Sequence, residues 1–255
     1  MKKALLIIPA LLAAAAGNAY YQMHKKYPGD AEEYSPEHVE LKESILNGKH
    51  IIFLGSSVTY GRNDVSFVEY LKKGYGVNVT KEAVSGTTLV DKDVFGRKSY
   101  VRRIKSIDKN LSPDLFICQL STNDATMKKP LGEVSESFEI DGFDTLTVAG
   151  AIEYIIAYVQ NVWHCPVMFY TGTEYKSDHY RKMVDLLMKI KEKWGIEVID
   201  MYHELKVDDI DKETYDLYMT NPIHPSLCGY RDWWTPFIAA ILENYFIQKS
   251  EGETE

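Results

Sequence analysis

Five short apolar runs separated by stretches of helical period constrain this chain more than any other feature. The runs are His50-Ile-Ile-Phe-Leu54, Val77 to Val84, Pro113-Asp-Leu-Phe-Ile-Cys-Gln-Leu120, Pro166-Val-Met-Phe-Tyr170 and Ile196 to Met201. Most are continuously apolar rather than alternating, the pattern of strands covered on both faces. Between them lie helical patterns. One carries Phe67, Val68 and Leu71, and a second is capped by Ser99 and carries Tyr100, Val101, Ile104 and Ile107. Thr147 to Trp163 repeats Ile152, Ile155, Ile156 and Val159 on one side. Ser177 to Trp194 places Tyr180, Met183, Val184, Leu187, Ile190 and Trp194 at helical spacing and closes at Gly195. A last helix runs from about Leu227 to Gln248, and Ser35-Pro36-Glu37 reads as the start of a helix through Leu41, Ile45 and Leu46 to Gly48. Alternating strands and helices predict an α/β fold around a five-stranded parallel sheet covered on both faces. Residues 125–146 show no period and read as a long loop.

The beginning of the chain does not fit that pattern. Met1-Lys2-Lys3 precedes the apolar run Ala4 to Gly17, which is 14 residues and shorter than a bilayer-spanning helix. Small residues at Gly17 and Ala19 suit cleavage after Ala19, so 1–19 is expected to be a signal peptide, with a retained membrane anchor as the alternative. Residues 20–34, polar and Tyr-rich, read as a tether, and 35–250 as one domain. The expected location is extracytoplasmic.

Charge and cysteines narrow the function. The net charge of −8 becomes −10 once Lys2 and Lys3 are removed, which argues against nucleic-acid binding through an overall basic field. Cys118, Cys165 and Cys228 are too scattered for a disulfide framework or a cysteine zinc site.

In parallel sheets of this kind ligands bind beyond the carboxyl ends of the strands. Four segments end strands or precede a helix there with chemistry to offer. Gly55-Ser-Ser-Val-Thr-Tyr-Gly61 puts a serine on a tight strand-to-helix turn. Its ordinary reading is a helix cap. A phosphate loop is disfavoured, because the second Gly comes one residue late and Arg62 stands where Lys would be. Gly86 follows the second strand, where a glycine serves a turn or lets backbone N–H approach a ligand. Asn123, in Ser121-Thr-Asn-Asp124, is a turn former or a donor to a developing oxyanion. His224 is held between Pro222 and Pro225, and a nucleophilic serine needs such a base. His203, after strand five, is the reserve candidate.

Taken in order, Gly55-Ser56-Ser57, Ser85-Gly86, Ser121-Thr122-Asn123-Asp124 and Asn221-Pro222-Ile223-His224 resemble the four blocks of the SGNH (GDSL-type) hydrolases over about residues 50–245. The resemblance implies a three-layer, flavodoxin-like α/β/α sandwich and ester hydrolysis without cofactor or metal. It implies Ser57 as nucleophile, His224 as base, and an oxyanion hole from Ser57 N–H, Gly86 N–H and the Asn123 side chain. Two residues depart from the pattern. Ser56 replaces the usual Asp before the nucleophile, and Asn221 occupies the position of the triad acid. Asn221 can orient the imidazole but adds no charge; Asp216 or a backbone carbonyl is the alternative orienter.

The expected function is a serine esterase or acylhydrolase acting on short acyl, chiefly acetyl, esters of carbohydrate. Phe138 and Phe143 of the long loop, with Tyr60, Glu174 and Tyr175, are expected to border the pocket. The competing expectation is a cell-surface binding module that keeps the fold while Asn221 marks lost catalysis.

Overall fold

The computed structural model describes residues 27–252. The signal peptide or anchor expected over 1–19 therefore lies outside the described residues, as do residues 20–26 of the expected tether.

The five strands are β1 His50–Gly55, β2 Asn78–Ala83, β3 Leu115–Gln119, β4 Val167–Tyr170 and β5 Glu197–Ile199. All pair in parallel, in the order β2-β1-β3-β4-β5. This is the flavodoxin-like order. Side chains of a strand alternate between faces, and the two cores divide accordingly. Ile52, Leu54, Phe116, Cys118 and Phe169 face one layer; Ile51, Phe53, Leu115, Ile117, Met168 and Tyr170 face the other.

The helices, in chain order, are α1 Ser57–Tyr60, α2 Phe67–Tyr75, α3 Tyr100–Arg103, α4 Thr122–Thr126, α5 Val148–Val162, α6 Asp178–Trp194, α7 Met201–Glu204, α8 Lys212–Tyr218, α9 Leu227–Gly229 and α10 Thr235–Gly252. α3, α5 and α6 cover the first face, and α2 and α10 the second. Local chemistry sets their starts. Ser66 and Glu69 form a reciprocal capping box on α2, and Ser99, Thr147 and Ser177 cap α3, α5 and α6. Gly195 closes α6 in the left-handed conformation. Each buried aliphatic side chain in these layers contributes about 1.5–3 kcal/mol relative to exposure.

Three expectations need correction. The helix expected from Ser35 to Gly48 is a single 3₁₀ turn, Pro36–His38, although Ser35 does cap it. Leu41 is 60% exposed, so the apolar spacing there does not mark a buried face. The Lys42 N–H instead donates to Gly74 O at 2.8 Å, tying the segment to the end of α2. Residues 27–34, read as tether, make two 3₁₀ turns packed on the domain, with Gly29 buried against Leu217 and Ser226. The last helix is interrupted by a π-helical turn, Tyr230–Trp234, which buries Trp234 and brings the Tyr230 hydroxyl to Val58 O at 2.9 Å.

The loop over 125–146 is irregular apart from the end of α4 and a 3₁₀ turn at Ile140–Gly142. Its two phenylalanines are drawn to a helix end rather than to Ser57. Phe138 and Phe143 pack on Trp194, at the last turn of α6, around the Lys193 ammonium. Lys193 pairs with the fully buried Glu153 and donates to Ser135 O. A buried carboxylate needs such pairing, and meeting that need draws the loop to the helix end.

Candidate active site

The turn after β1 is shaped by close packing. A Cβ on Gly55 would lie 1.7 Å from Thr59 Oγ1, so only glycine lets α1 fold back so tightly. Gln119, at the end of β3, accepts from Ser56 N–H at 2.8 Å and from the Thr59 hydroxyl at 2.9 Å. The buried Arg103 donates to Gly55 O at 2.7 Å and Thr87 Oγ1 at 3.1 Å. These contacts fix the residue that follows, Ser57, at the first position of α1.

His224 reaches Ser57 from 167 residues away in sequence, with Nε2 2.8 Å from Ser57 Oγ. Its loop is closed by a backbone bridge between Met219 and Pro225 and by Thr220 N–H donating to His224 O at 2.9 Å. Asn221 Oδ1 lies 3.0 Å from His224 Nδ1. The same oxygen accepts from the backbone N–H groups of Ile223, at 3.0 Å, and His224, at 3.1 Å. Two backbone donors leave no ambiguity in which way the carboxamide points, because its NH₂ would repel them. The imidazole therefore carries its proton on Nδ1 and presents a bare Nε2 to the Ser57 hydroxyl.

Electrostatics disfavour the imidazolium in the resting protein. Burial, and then the Arg62 guanidinium, hold the His224 pKa down to about 4. Arg62 is itself balanced by Asp30, whose Oδ2 accepts from Nη2 at 2.7 Å and Nε at 2.9 Å. The other Asp30 oxygen accepts from Leu227 N–H at 3.1 Å. One carboxylate thus joins the loop after Ser57 to the segment after His224.

Asn123 sits on α4, and its Nδ2 donates to Thr87 O at 2.9 Å and to Ser56 Oγ at 3.2 Å. Gly86 turns with φ +81°, a conformation that favours glycine. Among the described residues neither Ser57 N–H nor Gly86 N–H has an acceptor. Asp124, the neighbour of Asn123, accepts from Leu89 N–H at 2.7 Å and Val90 N–H at 3.1 Å, which fastens α4 to the segment after Gly86. Desolvation raises its pKa to about 6.

Ser57, His224 and Asn221 are thus in contact, and Asn123 touches Ser56, the residue before Ser57. The reserve candidates lie elsewhere. His203 Nδ1 is 2.7 Å from Asp200 Oδ2 and packs on Tyr202, while Asp216 pairs with Lys212 on α8. Glu174 and Tyr175 border a separate cavity with Lys206 and Asp208, and Tyr60 lies under Lys81. Gln119, Arg103, Asp124 and Asp30 went unrecognised in the sequence. Asp124 had a signal, being inside the Ser-Thr-Asn-Asp block; the other three act through distant partners and had none. Among the described residues no group of three or more His, Cys, Asp or Glu is placed to hold a metal, and no helix is long and apolar enough to cross a membrane.

A five-stranded parallel α/β sandwich of order β2-β1-β3-β4-β5, with a serine after its first strand in contact with a histidine ahead of its last helix, fits the SGNH-type hydrolase fold. Residues 53–231 match the model of the GDSL-like Lipase/Acylhydrolase family, and the chain belongs to that family. No curated protein matches the sequence significantly. Solved structures share the fold at low identity. A protein from Lactobacillus plantarum is 18% identical with a TM-score of 0.62, covering 79% of this chain and 98% of its own. A member of the lipolytic protein G-D-S-L family from Veillonella parvula is 19% identical, TM-score 0.53, covering 74% and 96%. The acetyl xylan esterase AlAXEase is 12% identical, TM-score 0.54, covering 75% and 98%.

Proposed function

We propose that the protein is an extracytoplasmic serine esterase that removes short acyl groups, acetyl first among them, from carbohydrate. One observation carries the chemistry: the 2.8 Å contact from Ser57 Oγ to a His224 whose tautomer Asn221 fixes. The acyl and sugar preferences rest on family membership, on an acetyl xylan esterase of the same fold, and on the export-like N-terminal segment.

Ser57 Oγ attacks the ester carbonyl carbon while its proton passes to His224 Nε2. The carbonyl π pair moves onto oxygen, where Ser57 N–H and Gly86 N–H, both without acceptors among the described residues, receive it. Asn123 contributes by exchanging its longer contact, with Ser56 Oγ, for the oxyanion. The oxyanion then re-forms the carbonyl, and the C–O bond to the alcohol breaks as His224 protonates the leaving oxygen. Water, giving a proton to the same nitrogen, attacks the acyl-enzyme. Collapse releases the carboxylic acid and returns the proton to Ser57 Oγ.

Asn221 stabilises the imidazolium by orientation alone, and the low basicity of His224 favours a second reading, a binding module with residual or no turnover. A screen of short-chain and acetylated sugar esters decides between them. Hydrolysis that disappears in Ser57→Ala supports the esterase; no hydrolysis above that variant's background supports the module.

A further inference from the structure

Arg97 is placed where the proposed mechanism has no use for it. Val94 and Arg97 exchange backbone hydrogen bonds of 3.1 and 3.0 Å around a turn whose central residues, Phe95 and Gly96, have φ of +50° and +75°. This is the arrangement of a tight hairpin turn, and the positive φ at a phenylalanine is a strained choice. The turn holds Phe95 95% exposed and folds Arg97 back onto the segment after β2. Arg97 Nη1 donates to Ser85 O at 2.6 Å, and a Cβ on Gly86 would lie 3.0 Å from the same nitrogen. The guanidinium therefore rests on the glycine whose N–H has no acceptor among the described residues.

Its charge is not balanced locally. The nearby carboxylates are committed elsewhere: Asp91 and Asp93 to Arg102, and Glu82 to Arg103. Among the described residues the Ser85 carbonyl is the one hydrogen-bond acceptor of the Arg97 guanidinium, which forms no ion pair. A guanidinium has five N–H donors in a planar fork suited to a carboxylate. In a chain with net charge −8, an unpaired guanidinium beside the proposed oxyanion site is a selective feature rather than part of a general basic surface.

We propose that Arg97 is a specificity residue that selects esters bearing a carboxylate a few bonds from the scissile carbonyl, with Phe95 as an apolar contact beside it. This rests on the esterase reading and names its substrate class. The carboxylate can belong to the acyl group or to the alcohol, and two isosteric pairs separate the cases. 4-Nitrophenyl hemisuccinate against 4-nitrophenyl succinamate tests the acyl side; 4-acetoxybenzoate against 4-acetoxybenzamide tests the alcohol side.

The readout is the charged-to-neutral ratio of kcat/KM, measured in the wild type, Arg97→Gln and Arg97→Lys. In one pair the wild-type ratio is expected to exceed the Arg97→Gln ratio by about 10- to 100-fold, the worth of a charge-assisted hydrogen bond. Arg97→Lys should keep part of the preference, and added salt should reduce it. Equal ratios in wild type and Arg97→Gln for both pairs would overturn the inference. Calorimetry on Ser57→Ala gives a readout independent of turnover. A charged-ligand preference that Arg97→Gln removes, seen without wild-type hydrolysis, sinks the esterase reading alone. Hydrolysis without charge preference sinks the Arg97 assignment alone.

Discussion

Asn221 Oδ1 accepts the Nδ1 proton of His224 at 3.0 Å while two backbone N–H groups hold that oxygen in place. Replacing a triad aspartate by asparagine in a serine protease costs roughly 10⁴ in kcat, because the wrong tautomer results. Here the loop N–H groups set the amide the right way round, so under the proposed mechanism the geometric part of the acid's task is kept and only the charge is missing.

Asn221→Asp should supply that charge. A carboxylate against the imidazole raises its pKa by about 1–3 units, and kcat/KM at neutral pH should rise. Asn221→Ala should lower kcat by about 10- to 100-fold, since a hydrogen bond to a group that becomes charged is lost. Steady-state kinetics of both variants check the pair; a fall with Asp would mean that orientation alone suffices.

The pH dependence follows from His224 and has a definite sign. The base works when neutral, so the acidic limb of kcat/KM should fall near pH 4 rather than near the ordinary histidine value of 6.5. Stability is linked to the same shift. The folded pKa lies below the unfolded one, so between about 6.5 and 4 the unfolded chain takes up the proton first and stability falls as pH drops. Asp124 acts oppositely, because its folded pKa, about 6, lies above the unfolded value of 3.8 and its contribution weakens as pH rises through that interval. Following the His224 ring by NMR, alongside the rate profile, separates the two groups.

Asp30 lies outside the matched family region yet balances the cation nearest the base. Asp30→Asn leaves Arg62 uncompensated, so the His224 pKa and the acidic limb should move further down, with a lower kcat. Arg62→Gln should move the limb up. If both variants keep the wild-type profile, the Asp30–Arg62 pair is a structural staple only.

Asp124→Asn should destabilise the domain by about 1–3 kcal/mol, since Leu89 N–H and Val90 N–H bond to different carboxylate oxygens and the carboxamide NH₂ would face one of them. For a domain of this size that is a drop of several degrees in Tm. Activity should fall more steeply than stability, because Asp124 ties the Asn123 helix to the segment after Gly86. Calorimetric melting and kcat on the same preparation check both statements.

The legible parts of the sequence were those governed by local rules. β1, β3 and β4 are continuous apolar runs because both faces are covered, and Ser99, Thr147 and Ser177 are caps whose spacing to the apolar period is fixed. The order of Ser57, Gly86, Asn123 and His224 was readable because parallel topology carries strand ends to one edge. What escaped was set by tertiary partners. The Ser35 segment shows helical spacing, but Lys42 bonds to Gly74 instead. Phe138 and Phe143 follow the buried Glu153–Lys193 pair, and Asp30 meets Arg62 across 32 positions. No window of sequence contains both members of such a pair.

The most direct measurement is fluorophosphonate labelling followed by mass-spectrometric mapping of the adduct. One adduct is expected, on Ser57, abolished in Ser57→Ala and strongly slowed in His224→Ala. Absence of labelling in the folded wild type, or an adduct that His224→Ala leaves as fast as before, would contradict a serine activated by His224.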